Sequence, residues 1–313
     1  MQVPPLSRAS RSLRRGFRRI LTALILLVVT LSAGDGVQEL EDPSSLPVPP
    51  GSVPGLSLDP ALRTSLEEAM RGRDYDRAEK LLADEIGRKP QSPELLQFLG
   101  NVFFLDGKYL NSAVAMKKAD ALTPLHDRSR FILAMAYVTL EHGDWARPEL
   151  EKLARSDPRN AVYPYWLSRL DYGEMQLNSA VSHLQKALEL DPNFTKAYDN
   201  LGLCYEALGK LDDATQAYEE AVRLNRERRL RSPWPSMNLG ALLVKLGRLE
   251  EAEGYLRKSL KEDPRFPRAH YQLGLLLEKQ KKDTEAVGEL VKAAEFDPSF
   301  PEPHYALGRI YRR

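Results

Sequence analysis

Pro90, Pro124, Pro158 and Pro192 stand 34 residues apart, and Pro264 and Pro298 resume the same step after a gap of 72. That gap is two periods with four residues added. A fixed spacing in this range marks stacked repeats, in which no repeat can bury its apolar face alone and each packs on its neighbours. One array therefore accounts for the 313 residues better than two ordinary domains. Arrays of this kind serve protein recognition far more than catalysis.

Counting repeats of 34 from Asp59 aligns the rest of the chain. Positions seven and eight read Leu99-Gly100, Leu133-Ala134, Leu167-Ser168, Leu201-Gly202, Leu239-Gly240, Leu273-Gly274 and Leu307-Gly308. Position twenty reads Ala78, Ser112, Ala146, Ala180, Ala214, Ala252 and Ala286. Position twenty-four is large: Leu82, Met116, Leu150, Leu184, Tyr218, Leu256 and Leu290. Small residues at two fixed positions let two antiparallel helices approach closely, and the large ones fill the space between. The proline near the end of each repeat cannot continue a helix and restarts the chain. Asp157, Asp191, Asp263 and Asp297 precede it, each a turn-favouring residue.

This order of small and large residues resembles the tetratricopeptide repeat (TPR) family. One repeat alone matches the family pattern at Tyr198, Leu201, Gly202, Tyr205, Ala214, Tyr218 and Ala221. The resemblance covers residues 59–313 and implies an all-α fold, a right-handed α–α superhelical solenoid of TPR helix pairs. It also implies a concave groove lined by first helices. The repeats fall at 59–92, 93–126, 127–160, 161–194, 195–228, 233–266 and 267–300, with a partial one at 301–313. The first is degenerate, as a terminal cap is expected to be. Asp171 takes a normally aromatic position in the fourth, which predicts a rotated first helix. The eighth stops at Arg313 after one helix, a terminal cap or the point where a longer chain continues. Residues 229–232 are the insertion, crowded by Arg226, Arg228, Arg229 and Arg231 and followed by Pro233-Trp234-Pro235. A longer solvated loop is the plain reading; a hinge or a basic partner contact is the sharper one.

Before the array, Arg8, Arg11, Arg14, Arg15, Arg18 and Arg19 precede an apolar run from Ile20 to Ala33. Residues 1–34 are therefore expected to be a signal peptide or signal anchor, because a spanning helix wants about 18 or more apolar residues. Either outcome places the array outside the cytoplasm, periplasmic or extracellular, with membrane contact only through residues 20–33 if they stay uncleaved. Residues 35–58, rich in proline, glycine and serine, are expected to be a disordered linker. The net charge of +1 hides a body of −5 once the six leading arginines are set aside. Such a body argues against nucleic acid as a partner.

In the TPR family ligands lie in the groove, and its lining positions divide this array. Repeats two to four supply Phe98, Asn101, Phe104, Phe131, Met135, Tyr165, Trp166, Arg169 and Tyr172, a mainly apolar strip suited to a partner helix or hydrophobic peptide. Coverage of these residues by neighbouring repeats or by the linker is the competing expectation. Asn200, Asn238 and Gln272 share position six in the next three repeats. Side-chain amides both donate and accept, so a ladder of them could grip an extended backbone, as in the TPR arms of protein O-glycosyltransferases.

No HExxH, GxSxG, CxxC or glycine-rich phosphate loop occurs, so neither catalysis nor a cofactor is expected. The single Cys204 cannot form an internal disulfide. The function expected is an exported, non-catalytic adaptor or scaffold that binds a protein or peptide segment in its groove. The alternatives are the substrate-binding arm of a longer enzyme and a structural subunit of an envelope or secretion complex.

Overall fold

The computed structural model describes Val53 and residues 55–312, and all of these lie in helices or their connections, with no strand among them. The expected signal or anchor at 1–34 lies outside the described residues, as does the proposed linker except for Val53 and residues 55–58. No helix among the described residues is long and apolar enough to cross a membrane.

The chain divides into two units, residues 1–174 and 175–313. The N-terminal unit holds α1 (Pro60–Arg71), α2 (Tyr75–Arg88), α3 (Pro93–Leu105), α4 (Tyr109–Leu122), α5 (Asp127–Thr139), α6 (Gly143–Ser156) and α7 (Val162–Gly173). The C-terminal unit holds α8 (Leu177–Leu190), α9 (Thr195–Ala207), α10 (Leu211–Glu227), α11 (Trp234–Lys245), α12 (Leu249–Glu262), α13 (Pro267–Lys279), α14 (Asp283–Phe296) and α15 (Glu302–Ile310). Within each unit consecutive helices pack on one another in chain order, so the contacts are local throughout.

Local chemistry sets the helix boundaries. Asp59 Oδ1 accepts from the Ala61 amide at 2.9 Å, and Ser92 Oγ accepts from the Leu95 amide at 3.3 Å, each satisfying an N–H that the first turn leaves orphaned. Pro60, Pro93 and Pro267 open their helices where no N–H is needed. Between repeats, Asp191, Asp263 and Asp297 accept from the amides of Asn193, Arg265 and Ser299 at 2.9, 2.9 and 3.0 Å. These Asx turns are the physical content of the Asp-Pro pairs in the sequence.

The repeating small and large positions meet as the spacing predicts. Ala78, Ala146, Ala214, Ala252 and Ala286 are fully buried, and so are Leu82, Met116, Leu150, Tyr218, Leu256 and Leu290. Asp171 does not rotate its helix: Leu167 and Ser168 still face inward, and Asp171 itself is fully buried. Its carboxylate accepts from Arg147 Nη1 at 2.7 Å, while Nη2 reaches Glu174 at 3.1 Å. A paired charge thus occupies an aromatic position without disturbing the register.

The end of the proline-rich stretch departs from the expected free linker. Val53 and Leu58 are buried in one cluster with Leu66, Ala69, Leu82, Leu95, Phe98 and Val102. The Leu56 amide donates to the Val53 carbonyl at 3.2 Å, and Gly55, at φ +79°, completes the turn beside Glu94. Two apolar side chains spaced for a turn find an uncovered face on α1 and α3, and their burial outweighs the extended preference of the prolines around them.

Candidate functional site

The first helices of the N-terminal unit are α1, α3, α5 and α7. The strip read as a groove lining does not form an open surface. Phe98, Asn101, Phe104, Phe131, Met135, Tyr165 and Trp166 are all buried, whereas Arg169 and Tyr172 are half-buried. Phe104 meets Tyr109 edge-on at 5.3 Å, and Phe131 tilts against Tyr163 at 6.0 Å. Burial pushes the Tyr163 phenol up to about 12, with the charges of Asp127 and Asp157 adding to it. Tyr165 and Trp166 meet edge-on at 5.8 Å, and the Arg169 guanidinium lies 4.9 Å from the Trp166 ring. Of the two expectations for these residues, coverage describes their surroundings. Asn101 Oδ1, Gln97 Oε1 and Trp166 Nε1 remain buried without hydrogen-bond partners.

In the C-terminal unit the first helices α9, α11, α13 and α15 carry polar positions instead. Asn200 and Gln272 are half-buried. Asn238 is not an available rung between them, because its Nδ2 donates to both carboxylate oxygens of Asp199 at 3.0 Å. Burial raises the Asp199 carboxyl to about 7, with the Asn238 bond pulling the other way. The same helices are joined by further charged contacts. Lys245 pairs with Glu206, whose other oxygen accepts from Tyr218 Oη at 3.1 Å. Arg309 grips Glu278 through Nε at 3.0 Å and Nη2 at 2.5 Å, and Lys279 Nζ donates to the Val244 carbonyl at 3.0 Å. The result is a polar, cross-linked face in which two amides keep partial exposure.

The Asp199–Asn238 contact escaped the sequence reading. These residues sit at positions five and six of their repeats, and the insertion before Pro233 hides the relation. The signal available was a carboxylate and an amide on consecutive first helices.

Three carboxylates converge on one ammonium in the N-terminal unit. Asp76, Glu79 and Asp106 surround Lys108 Nζ at 3.2, 2.9 and 2.7 Å, which raises the lysine's affinity for its proton and places a cation at the point where the three carboxylates converge. His270 is held by Glu289 at 2.6 Å and the Pro264 carbonyl at 3.0 Å, a packing arrangement. Cys204 is buried.

Comparison with known proteins follows the same lines. Models of the tetratricopeptide repeat match residues 193–261 and 237–301. The chain is 27% identical over 181 residues to the TPR repeat-containing protein YpiA of Bacillus subtilis, covering 55% of this chain but only 40% of that one. It is 33% identical over 75 residues to the TPR repeat-containing protein PA0015 of Pseudomonas aeruginosa, covering 23% of this chain and 70% of that one. A crystal structure of a tetratricopeptide repeat protein from Parabacteroides merdae aligns with 80% of this chain and 98% of its own, at 16% identity and a TM-score of 0.66. That likeness shows the fold, the all-α TPR solenoid anticipated from the spacing.

Proposed function

The chain belongs to the tetratricopeptide repeat family, and from that membership we propose that it is an exported, non-catalytic adaptor that holds a segment of a partner protein. TPR repeats form a scaffold suited to protein–protein interaction. Within this chain the reading assigns the segment to the first-helix face of the C-terminal unit.

One observation carries that assignment. Asn200 and Gln272 retain exposure on a face where Asn238 is paired with Asp199 and Arg309 with Glu278, while Phe98, Phe104, Phe131, Tyr165 and Trp166 are packed away. Each amide offers one donor and one acceptor to a peptide unit, so main-chain recognition needs no particular side chain on the ligand. Fixed neighbours such as the Arg309–Glu278 fork reduce the entropy lost when the segment binds.

The test is affinity capture from the exported proteome by the unmodified chain and by an Asn200→Ala, Gln272→Ala variant. The reading expects the captured protein to be lost from the variant with thermal stability unchanged. Undiminished capture would contradict it. Export rests on the basic and apolar N-terminal sequence. Replacing Leu24 and Leu27 with arginine, at about 2.5–3.5 kcal/mol each on insertion scales, should leave a fused reporter in the cytoplasm. A reporter that still crosses would remove the signal assignment.

A further inference from the structure

One edge of the C-terminal unit gathers positive charge without neutralising it. The α10 helix runs to Glu227, and the inserted residues follow, with Arg226, Arg229 and Arg231 exposed and engaged in no side-chain hydrogen bond or ion pair. Lys258 stands close enough to Arg226 to feel its charge, and the next residue, Ser259, donates from Oγ to the Pro233 carbonyl at 2.8 Å. Trp234 follows directly, and the Arg268 guanidinium lies 5.8 Å from its ring and 5.3 Å from Phe300. Arg268 Nε is buried without a hydrogen-bond partner. The nearby carboxylates are Glu262, acting on Lys258, and Glu302 and Asp297, acting on Arg268; none comes within ion-pair distance.

The loop is held in place. Asn225 accepts from the Ser232 amide at 3.1 Å and donates to the Ser232 carbonyl at 2.9 Å, closing the insertion like a clasp. Arg228 Nη1 donates to the Asn193 carbonyl at 2.8 Å. Arg229 and Arg231 both adopt left-handed backbone, at φ 55° and 53°, a conformation that a loose solvated loop would leave to glycine. At Arg229 this closes the end of α10, its amide donating to the Arg226 carbonyl at 3.2 Å and the Leu230 amide to the Asn225 carbonyl at 3.0 Å.

We propose that this edge, with Arg226, Arg229, Arg231, Lys258 and Arg268 around Trp234, is a docking site for a carboxylate-rich segment of a partner protein. Guanidinium groups match carboxylates in two-pronged fashion, and a half-buried indole supplies apolar contact between them. The direction of titration agrees. Burial and then Arg226 pull Lys258 down, and burial pulls Arg268 down, whereas Arg248 and Arg309 in the same unit are raised by bound Glu251 and Glu278. An arriving carboxylate would supply what the first pair lacks. A nucleic-acid duplex or a bilayer would have to seat its phosphates beside Glu262, Asp297 and Glu302 as well, while a short acidic run need cover only the cations. Arg268 stands one turn before Gln272 on α13, so the two surfaces adjoin there. Arg226, Arg229 and Arg231 lie off the first helices, on the end of α10 and in the insertion, so a failure traced to these three leaves the adaptor reading standing.

The experiment measures fluorescence anisotropy of a labelled deca-glutamate peptide with the full chain. Phosphatidylserine vesicles and duplex DNA are tested alongside it. The peptide is expected to bind, and the Arg226→Gln, Arg229→Gln, Arg231→Gln variant to bind at least about tenfold more weakly. An Arg71→Gln, Arg73→Gln, Lys80→Gln variant, which loses the same charge from exposed positions of the other unit, is expected to bind as before. On the unmodified chain, binding is expected to weaken at least about tenfold as salt rises past the point where the screening length falls to a few ångströms. No binding, equal binding by the first variant, or insensitivity to salt would overturn the site. Tighter binding of vesicles or DNA through the same arginines would overturn the protein segment as its occupant.

Discussion

Gly202 measures the closest approach within a helix pair: a methyl group there would sit 2.4 Å from Tyr218 Cε1. The equivalent Gly100 faces Met116, with carbon atoms at 3.0 Å. Alanine favours a helix interior over glycine by about 1 kcal/mol, while overpacking costs about 1–3 kcal/mol, so the neighbour decides the sign. The rigid ring of Tyr218 cannot yield, and Gly202→Ala is expected to destabilise by about 1–2 kcal/mol net. The flexible Met116 can, and Gly100→Ala is expected to fall within about 0.5 kcal/mol of neutral. Urea unfolding of both variants checks the ranking, and a costlier Gly100→Ala would contradict it. These close contacts were legible as small residues opposite large ones. The turn between paired helices was less so. Gly107, Gly209 and Gly247 take left-handed backbone there, and so do Arg73, Glu141, Met175 and Lys281 at the same repeat position. The helix pair imposes that turn, and four side chains tolerate it without a glycine to announce it.

At the scale of elements, the α9–α11 contact sets a pH dependence. Asp199 holds its proton up to about pH 7 in the fold, against an ordinary value near 3.8. Between those values the folded chain binds more protons than the unfolded one, so stability falls as pH rises from about 4 to about 7 and then levels. A shift of this size is worth about 4 kcal/mol at most. Glu289 acts in the opposite sense. Held to about 2 chiefly by the His270 hydrogen bond, it contributes stability above about pH 4.5 that is lost as pH falls toward 2. Asp199→Asn is expected to flatten the decline between pH 4 and 7 and to leave the acid limb intact. Denaturant titrations across pH would show it, and an unchanged slope would remove Asp199 as the cause. Neither contact was legible from repeat positions alone, because each joins different positions of two elements. The burial of Val53 and Leu58 was missed for a related reason: proline and glycine content describes a chain's local freedom, whereas burial is decided by the face a side chain meets.

For the molecule as a whole, the period of 34 residues was enough to place the fifteen helices of the described residues and most of the core. Periodicity reports what packs, because packing is what repeats. It could not separate a groove lining from a second packed face, since both call for apolar residues on a first helix. Phe131 and Trp166 were the residues on which that distinction turned, and both are buried. With that strip buried, the central proposal is that a partner segment lies along the first helices of the C-terminal unit. Photo-crosslinking in cells that produce the protein tests it most directly, with a benzophenone side chain placed in turn at Asn200, at Gln272, and at the exposed second-helix positions Asp212 and Glu250. The account predicts adducts to one and the same protein from positions 200 and 272 and none from 212 or 250. Adducts confined to 212 and 250 would contradict it.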